Sequence, residues 1–345
     1  MENVIKFAVI GAAERGIGRV HLRGMANIPY AKCVAVCDIH EEFAVDCAKV
    51  FGIEKVYTDY KDMLAAGGFD AVIVATPDQV HREQAIAALE AGYHVLCEKP
   101  LAMEMEDCQA IVDAAKKSTK KFMVGQVARK NPPFALLKQL VDRGEVGELF
   151  FVESEYAHNY DIIPDIDGWR HDPVHLRHPV VGGGCHAMDL LRWIAGNPTE
   201  VTAYANHKAL PNWPVDDCTI SILKYPNNVI GKVMVSIGCH RPYAMRTCIY
   251  GTKGTLIYES DKDGLMMYKE FYNPMTDRTN YLPTWIPIER KGHNMQAEIE
   301  EFCDIIYNDL PVECDVIQGA NTVAVCRAAV ESAAIGAPVA PKYFS

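Results

Sequence analysis

The chain has 345 residues, of which 49% are hydrophobic and 23% charged, and its formal net charge is −11. This length favours two domains, and the acidic charge argues against nucleic acid or an acidic membrane surface as the main partner. The sequence contains no apolar run of about 18 residues, which a membrane-spanning helix would need. The first residues lack the basic and long apolar regions of a secretion signal, and the twelve cysteines include no CxxC pair. We therefore expect a cytoplasmic protein with buried, reduced thiols and no zinc site.

Residues 1–125 are predicted to form a dinucleotide-binding domain with a parallel sheet. Short apolar runs at 7–10, 31–37, 70–77, 93–97 and 122–125 alternate with segments of helical character. Strands that alternate with helices of about 10–15 residues indicate βαβ units with right-handed crossovers. In such an open sheet, ligands bind at the carboxyl ends of the strands.

A glycine-rich loop follows the first strand and reads Gly-Ala-Ala-Glu-Arg-Gly-Ile-Gly from Gly11 to Gly18, which is longer than the usual GxGxxG fingerprint. Such a turn can present backbone N–H groups and a helix dipole to a pyrophosphate, although ordinary strand–helix turns also use glycine. Asp38 ends the second strand, where a carboxylate can hydrogen-bond a ribose diol and would repel a 2′-phosphate. We therefore predict NAD rather than NADP. The alternative is that Asp38 caps the following helix.

The apolar run at 93–97 leads into Glu98, Lys99 and Pro100. Proline has no amide hydrogen and biases the preceding residue away from helical dihedrals, so the strand should end here. Lys99 would then lie at a carboxyl end, as Thr76 and Pro77 would on another strand beside the expected cofactor. We predict a chemical role for the Lys99 amine; the alternative is a solvated strand end.

Residues 126–345 are predicted to form a second, α+β domain. Strands are expected at 148–156, 200–207, 218–225, 229–239, 245–250 and 255–260, between a helix at 135–142 and two C-terminal helices at 296–308 and 317–335. Within 229–237 every second residue is small or apolar, which indicates a sheet with one buried face and one wetter face. A run of strands after a run of βα units favours an antiparallel sheet. The C-terminal helices are expected to pack against this sheet and the interdomain seam.

A long segment at 157–184 separates two of these strands and carries many reactive side chains. Long irregular loops in compact domains are usually functional or disordered, and the aromatic content argues against disorder. Planar apolar faces with many donors and acceptors suit a hydroxyl-rich substrate. The spacing of its His and Asp residues matches no metal-ligand signature, so we predict no metal. His186 follows this segment and shares a helical face with Asp189, although a lone histidine near a helix start is often structural.

Several motifs together resemble the glucose–fructose oxidoreductase/inositol dehydrogenase (Gfo/Idh/MocA) family. They are a TPxxxH motif from Thr76 to His81, an ALxAGxHV helix end at 88–95, and the EKP signature at 98–100. Weaker similarity continues at 169–170, 182–189, 251–254 and 332–339 and so covers nearly the whole chain. The resemblance implies a Rossmann-type domain followed by a large, mainly antiparallel open sheet with helices on one face. In many members the outer face of that sheet forms oligomer contacts, so we expect a homodimer or homotetramer.

The resemblance also matches His186 to a histidine involved in substrate contact and proton transfer. Many family members have an aspartate four residues before this histidine, where this chain has Gly182. A proton relay through that carboxylate is therefore in doubt here. Asp189 and the loop residue Asp172 are the candidates to orient His186 instead.

The residues and the resemblance together predict an NAD-dependent oxidoreductase. It would transfer hydride between the nicotinamide and a secondary hydroxyl of a sugar, cyclitol or glycoside. An ammonium beside the reacting oxygen stabilises a developing alkoxide, which suits Lys99. Imidazole has an unperturbed pKa of about 6.5, which makes His186 the best general base.

These considerations define the predicted site. The cofactor-binding residues are Gly11, Arg15, Gly16, Ile17, Asp38, Ala75, Thr76, Pro77, His81, Glu98, Lys99 and Gln126. The substrate-binding residues are Lys99, Arg129, Tyr156, Tyr160, Trp169, Arg170, Asp172 and His186. His293 is a further candidate for the cleft, and an exposed cap residue is its alternative.

Two other functions stay open. Oxidation of a sugar hydroxyl acidifies the neighbouring C–H, so a lyase or hydrolase could use tightly held NAD for transient oxidation, elimination and reduction of a glycoside. The third interpretation is a non-catalytic regulator that binds NAD and a sugar, and the presence of both Lys99 and His186 argues against it.

Overall fold

The computed structural model describes residues 4–163, 165–289 and 292–345. It contains two compact units. The first comprises Met1–Val127, Asn294–Val323 and Tyr343–Ser345, and the second comprises Ala128–His293 and Ala324–Lys342.

The first unit is built on a six-stranded parallel sheet. Its strands are β1 (Ile5–Ile10), β2 (Ala31–Cys37), β3 (Lys55–Tyr57), β4 (Ala71–Val74), β5 (His94–Glu98) and β6 (Phe122–Gly125). Its first helices are α1 (Ile17–Met25), α2 (Glu41–Phe51), α3 (Tyr60–Ala66), α4 (His81–Glu90) and α5 (Met105–Lys117). The strand order β3-β2-β1-β4-β5-β6 confirms the predicted Rossmann-type sheet. The strand β3 was not predicted, because it has only three residues, none of them buried.

The order of the strands determines where a ligand can bind. The chain crosses from one side of the sheet to the other between β1 and β4, which are neighbours in the sheet. The loops that follow these two strands diverge and leave a crevice at the carboxyl edge. Strand β4 is shorter than predicted, so Ala75, Thr76 and Pro77 lie in the loop at this crevice.

The second unit contains an eight-stranded sheet. Its strands are β7 (Leu149–Ala157), β8 (Glu200–Asn206), β9 (Cys218–Lys224), β10 (Ile230–Ser236), β11 (Thr247–Gly251), β12 (Gly254–Tyr258), β13 (Gly264–Asn273) and β14 (Arg278–Pro287). Its helices include α6 (Pro132–Asp142), α7 (Pro179–Gly182) and α8 (Cys185–Ala195). The order is β14-β13-β12-β11-β7-β10-β9-β8, and the pair β10–β7 is parallel whereas the other pairs are antiparallel. This confirms the predicted, mainly antiparallel sheet.

The strands β13 and β14 were missed in the sequence. Neither has the apolar alternation of a half-buried strand, since most of their residues are exposed or only partly buried. Pro283, within β14, has no amide hydrogen to donate to a neighbouring strand. Because β14 is the edge strand, a residue without an amide hydrogen is tolerated in it.

Two C-terminal helices complete the fold, close to their predicted bounds: α9 (Met295–Asn308) and α10 (Val316–Ile335). Helix α9 packs tightly on α1, since a Cβ atom on Gly24 would lie 2.9 Å from the backbone nitrogen of Gln296. None of the helices in the described ranges is both long and apolar enough to cross a membrane. None of the twelve cysteines forms a disulfide, ten of them are buried, and burial raises the pKa of the Cys33 thiol to about 12.

Candidate active site

The glycine-rich loop lies at the crevice of the first unit, and its shape requires glycine. Gly11 has a φ of +102°, and a Cβ atom there would lie 2.5 Å from the carbonyl oxygen of Ala75 in the loop after β4. A Cβ atom on Gly18 would lie 2.0 Å from the carbonyl oxygen of Gly11. Gly16 precedes α1 and provides no side-chain cap. The first amides of α1 can therefore serve a bound anion.

Three side chains of this loop and of α1 have different roles. Arg15 is exposed in the turn, and Ile17 is the first residue of α1. Arg19, which was not predicted, is 4% exposed and donates from Nε to the carbonyl oxygen of Ala12 at 2.7 Å. It also pairs with Asp46 of α2 at 2.7 Å. Arg19 therefore ties the glycine-rich loop to α2, and no sequence motif indicates this role.

Asp38 contacts the glycine-rich loop directly. Its Oδ2 accepts from the backbone nitrogen of Ala12 at 2.7 Å, and its Oδ1 accepts from that of His40 at 3.0 Å. The residue that caps α2 is His40, so the geometry does not favour Asp38 as the helix cap. Asp38 is half-buried at the end of β2, as a ribose-binding carboxylate would be.

His81 joins the ends of β4 and β5. It is 1% exposed, and its Nδ1 lies 2.9 Å from the carbonyl oxygen of Pro100 while its Nε2 lies 3.0 Å from that of Thr76. Thr76 in turn donates from Oγ1 to Oε1 of Gln84 at 2.6 Å. The predicted cofactor residue His81 is therefore buried between the two loops and positions both, which gives the TPxxxH motif a physical basis.

Glu98 holds the start of the segment that carries Lys99. Its Oε1 lies 2.8 Å from Nε2 of His21, and its Oε2 accepts from the backbone nitrogen of Lys99 at 3.1 Å. Burial is the largest influence on the Glu98 pKa and raises it, but the hydrogen bond and charge of His21, together with Lys99, hold this pKa below its usual value. Glu98 therefore stays ionised and is turned toward α1.

The residues of the first unit fit a nicotinamide dinucleotide. The first amides of α1 have no side-chain cap and can bind a pyrophosphate, and Asp38 lies at the end of β2, where a ribose diol would bind. Gln126, immediately after β6, is 3% exposed, and its Oε1 has no hydrogen-bond partner among the described residues. A buried polar atom of this kind requires a partner, which a ligand can supply.

His186 lies at the start of α8 in the second unit and is 1% exposed. The glycines before it allow α7 and α8 to approach the sheet closely. A Cβ atom on Gly184 would lie 2.4 Å from Cγ2 of Val235 in β10, and one on Gly183 would lie 2.4 Å from the hydroxyl oxygen of Tyr160. These close contacts fix the position of His186 on the buried face of the sheet.

The space beside Gly182, where this chain departs from the family pattern, is occupied by another side chain. A Cβ atom on Gly182 would lie 2.3 Å from Nη1 of Arg177, whose residue is only 6% exposed. The guanidinium of Arg177 also lies over the ring of Trp169, at 5.0 Å from its centroid. A buried cation therefore takes up the space next to the position where many family members carry a carboxylate.

His186 belongs to an aromatic cluster. Its ring centroid lies 5.6 Å from that of His293 and 6.4 Å from that of Tyr156. Further members lie in contact along the cluster, namely His158, Tyr160, His171, Trp213 and Tyr243. The predicted substrate residues Tyr156 and Tyr160 are thus brought together with His186.

The hydroxyl of Tyr156 is part of a hydrogen-bond network. It lies 3.1 Å from the hydroxyl of Tyr160 and 3.2 Å from Nδ1 of His158. Burial raises the pKa of Tyr156 well above its usual range, Tyr160 and Tyr243 add to the rise, and Arg177 opposes it. Tyr156 is therefore a neutral hydrogen-bond donor at ordinary pH.

Arg129, which was predicted to contact substrate, pairs with a buried acid. Its guanidinium donates to both carboxylate oxygens of Asp189, at 2.7 and 2.8 Å, and both side chains are at most 2% exposed. Arg192 lies 3.9 Å from the same carboxylate. This bidentate pair favours a structural role for Arg129. It also neutralises Asp189, one of the two acids considered for orienting His186.

The other predicted loop residues form local pairs. The guanidinium of Arg170 lies 4.4 Å from the ring centroid of Trp169 and 3.6 Å from Asp165. Asp172 pairs with His175 at 2.8 Å, and this hydrogen bond is the main reason that the Asp172 pKa is lowered. The geometry therefore does not favour Asp172 as the acid that orients His186.

A cavity of about 790 Å³ opens in the second unit, next to this cluster. Its lining residues are Ala128, Asn131, Phe134, Tyr243, Met245, Tyr258, Ser260, Asp263, Pro287, Ile288, Glu289, Gly292 and His293. Oδ1 of Asn131 is buried and has no hydrogen-bond partner among the described residues. Of these residues, the sequence had suggested His293 alone. Tyr243 belongs to no motif, and the bridge between Ala157 and Ala244 places it beside β7.

Comparisons with known proteins place this geometry in a family. Residues 5–126 match the model of an oxidoreductase family with an NAD-binding Rossmann fold, and residues 134–257 match the model of the GFO/IDH/MocA C-terminal domain. The chain is 26% identical to the oxidoreductase YrbE of Bacillus subtilis over 98% of this chain and 97% of that protein. It is 27% identical to inositol 2-dehydrogenase of Salmonella typhimurium over 72% of each. The solved structure of levoglucosan dehydrogenase in complex with NADH and levoglucosan matches with a TM-score of 0.88 and 25% identity, over 98% of this chain and 100% of that chain. The chain belongs to the Gfo/Idh/MocA family of oxidoreductases.

Proposed function

We propose that this protein is an NAD-dependent dehydrogenase that acts on a secondary hydroxyl of a neutral sugar, cyclitol or glycoside. The observation that carries the proposal is the position of Lys99, which directly follows β5 at the carboxyl edge of a Rossmann-type sheet. Glu98 binds its amide nitrogen, and His81 binds the carbonyl oxygen of the residue after it. Relatives that act on inositol and levoglucosan support the substrate class.

The cofactor would be held by the groups at the crevice of the first unit. Gly11 and the first amides of α1 would bind the pyrophosphate, Asp38 the ribose, and Gln126 a further polar group. When bound, the nicotinamide supplies the hydride acceptor or donor. Thr76 and Pro77 would contact the cofactor from the loop that His81 fixes.

Two side chains would manage the hydroxyl proton. An alcohol holds this proton too tightly at neutral pH to release it unassisted. The Lys99 ammonium would stabilise the alkoxide that develops, as a compact point charge. His186 would accept the proton as general base in oxidation and return it in reduction. Tyr156, a neutral donor, would help to orient the substrate.

The cavity of the second unit suggests which substrates fit. Among the residues that the structure describes, its lining includes the carboxylates Asp263 and Glu289 and no lysine or arginine. Its aromatic residues offer flat apolar faces, and Asn131 offers a buried acceptor for a hydroxyl. Such a lining would accept a neutral polyol and oppose a sugar carrying a carboxylate or phosphate.

The decisive experiment is a screen for NADH absorbance over polyols, free sugars and glycosides, together with analysis of cleaved products. We expect NADH formation with neutral cyclitols or anhydrosugars, and at least about a tenfold lower kcat/KM for a uronate than for its neutral parent. Glycoside cleavage without NADH accumulation would instead establish the internal redox cycle of a lyase or hydrolase. Absence of turnover on every class would contradict the proposal.

Cofactor choice gives a separate prediction. Replacing Asp38 by asparagine keeps a hydrogen-bond acceptor for Ala12 and removes the negative charge that opposes a 2′-phosphate. We expect kcat/KM to fall for NAD and to rise for NADP, which changes their ratio by about 10- to 100-fold. Glu42→Gln is the matched control, because it removes an exposed charge from the first turn of α2. An unchanged ratio in Asp38→Asn would exclude Asp38 as the selector.

We also propose a homodimer or homotetramer that forms through the outer face of the eight-stranded sheet. Tyr204 of β8, Ile220 of β9 and Met234 of β10 are neighbours in one row across this face, and Tyr204 is 77% exposed. A contiguous apolar row on a sheet commonly marks an interface. Tyr204→Glu should therefore shift the mass measured by light scattering toward the monomer. Val45→Glu, at an exposed residue of α2, should leave the mass unchanged, and a monomeric wild type would contradict the proposal.

A further inference from the structure

His21, Glu98 and Glu298 form a buried polar group in the first unit that the proposed chemistry does not use. One ligand atom from each lies within 4.8 Å of the others, and the residues are 0%, 3% and 2% exposed. They come from three elements, namely α1, the end of β5 and the first turn of α9. No motif connects them, since Glu298 is 200 residues from Glu98 in sequence (298 − 98).

The close packing of α1 on α9 creates this group. A Cβ atom on Gly24 would lie 2.9 Å from the backbone nitrogen of Gln296, so the two helices approach within backbone contact. His21 lies one turn before Gly24 on α1, and Glu298 lies two residues after Gln296 on α9. A larger residue at 24 would separate the helices and remove Glu298 from His21.

The charges make the three residues depend on one another. Nε2 of His21 donates to Oε1 of Glu98 at 2.8 Å, the length of a charge-assisted hydrogen bond. A second buried carboxylate beside this pair would be costly without a shared cation or proton, because burial removes its hydration. Loss of His21 would leave two buried acids facing one another. The other charged group that acts on Glu98 is Lys99.

We propose that His21 and Glu298 are positioning residues for Lys99. Glu298 lies within 4.8 Å of both side chains, Nε2 of His21 hydrogen-bonds the Glu98 carboxylate, and Glu98 accepts from the backbone nitrogen of Lys99 at 3.1 Å. Because His21 lies on the helix that follows the glycine-rich loop, the same group links the cofactor loop to the lysine strand. A residue from α9 thereby contributes to the site without touching substrate or cofactor.

The kinetic part of the test rests on the proposed function, so it is paired with a measurement that needs no substrate. His21→Asn shortens the side chain beyond reach of Glu98, and Glu298→Leu removes the second carboxylate. Both should lower kcat by about 10- to 100-fold with KM values within about threefold, as expected for a displaced catalytic group. Both should also speed hydrogen–deuterium exchange in peptides covering 94–103 by about tenfold.

Two matched variants separate positioning from general stability. Glu298→Gln keeps the volume and an acceptor oxygen, and should restore kcat to within about threefold of wild type. Glu300→Gln removes a carboxylate two residues along α9 whose partner is Gln296, and should change neither measurement. If Glu298→Leu does not fold, His21→Asn decides the question.

Three results would overturn the proposal. They are wild-type kcat together with wild-type exchange at 94–103 in His21→Asn, an equal loss in Glu300→Gln, or a stoichiometric divalent metal retained by the purified protein. If the wild type itself shows no turnover, the proposed function fails, and the exchange measurement still tests the positioning role.

Discussion

Lys99→Ala is expected to lower kcat by about 100- to 10,000-fold, the usual cost of removing a group that transfers or stabilises the reacting proton. The Kd for NADH, measured by fluorescence titration, should stay within about threefold of wild type. The reason is that the groups assigned to the pyrophosphate and ribose, Gly11 and Asp38, lie on other loops. The structure of the β5 end should also survive, because Glu98 binds the backbone nitrogen of residue 99 and not its side chain.

The matched control for this experiment is Lys121→Ala. Lys121 immediately precedes β6, at the opposite edge of the same sheet, and its amine pairs with the exposed Asp309 at 2.6 Å. Loss of such a surface pair costs at most about 1 kcal/mol and should not affect kcat. Lys99→Arg separates two roles, since it keeps the positive charge but cannot release a proton at working pH. Unchanged turnover in Lys99→Ala would contradict the assignment of Lys99 as a catalytic residue.

His186→Asn is expected to lower kcat/KM by about 100-fold or more in the direction of alcohol oxidation. A general base must be neutral to accept a proton, so the wild-type rate should rise with pH as this group loses its proton. The variant should lack that rising limb. The measurement is a pH profile of kcat/KM for wild type and variant, with NADH Kd as the check on folding.

His207→Asn is the comparison variant for His186. Nε2 of His207 lies 2.6 Å from the carbonyl oxygen of Leu210, a local contact in the same unit, so its loss should leave the pH profile unchanged. A His186 variant that keeps both the wild-type rate and the rising limb would exclude His186 as the base.

Local patterns predicted much of the fold. The alternation of apolar strands and helices indicated the parallel sheet, because buried parallel strands are short and apolar on both faces. The alternation in 229–237 indicated the half-buried β10, whose residues Val233 and Val235 are buried and whose Ile230 is exposed. The edge strand β14 escaped prediction because its residues are exposed or only partly buried, so its sequence carries no burial pattern.

The residues of the candidate site also divide into those that the sequence could predict and those that it could not. Residues within a motif, such as Gly11, His81 and Lys99, could be selected because a strand end and a turn fix their neighbours within a few positions. Arg129 shows the limit of this reasoning. The sequence suggested it as a substrate residue after β6 and gave no sign of its partner Asp189, which lies 60 residues further along the chain. No local pattern reports that a buried acid will pair with it.

The sequence by itself therefore determined the order of the elements, the glycine-rich loop, and the place of Lys99 at a strand end, since these depend on neighbours in the chain. Only the tertiary structure decided that His21 and Glu298 meet at Glu98, that Tyr243 and His293 join His186 in one cluster, and that Arg177 takes up the space beside Gly182. The physical reason is that hydrogen bonds and ring contacts depend on distance in space. Packing brings these side chains together from distant segments, and no local sequence pattern in one segment indicates its contact with the other.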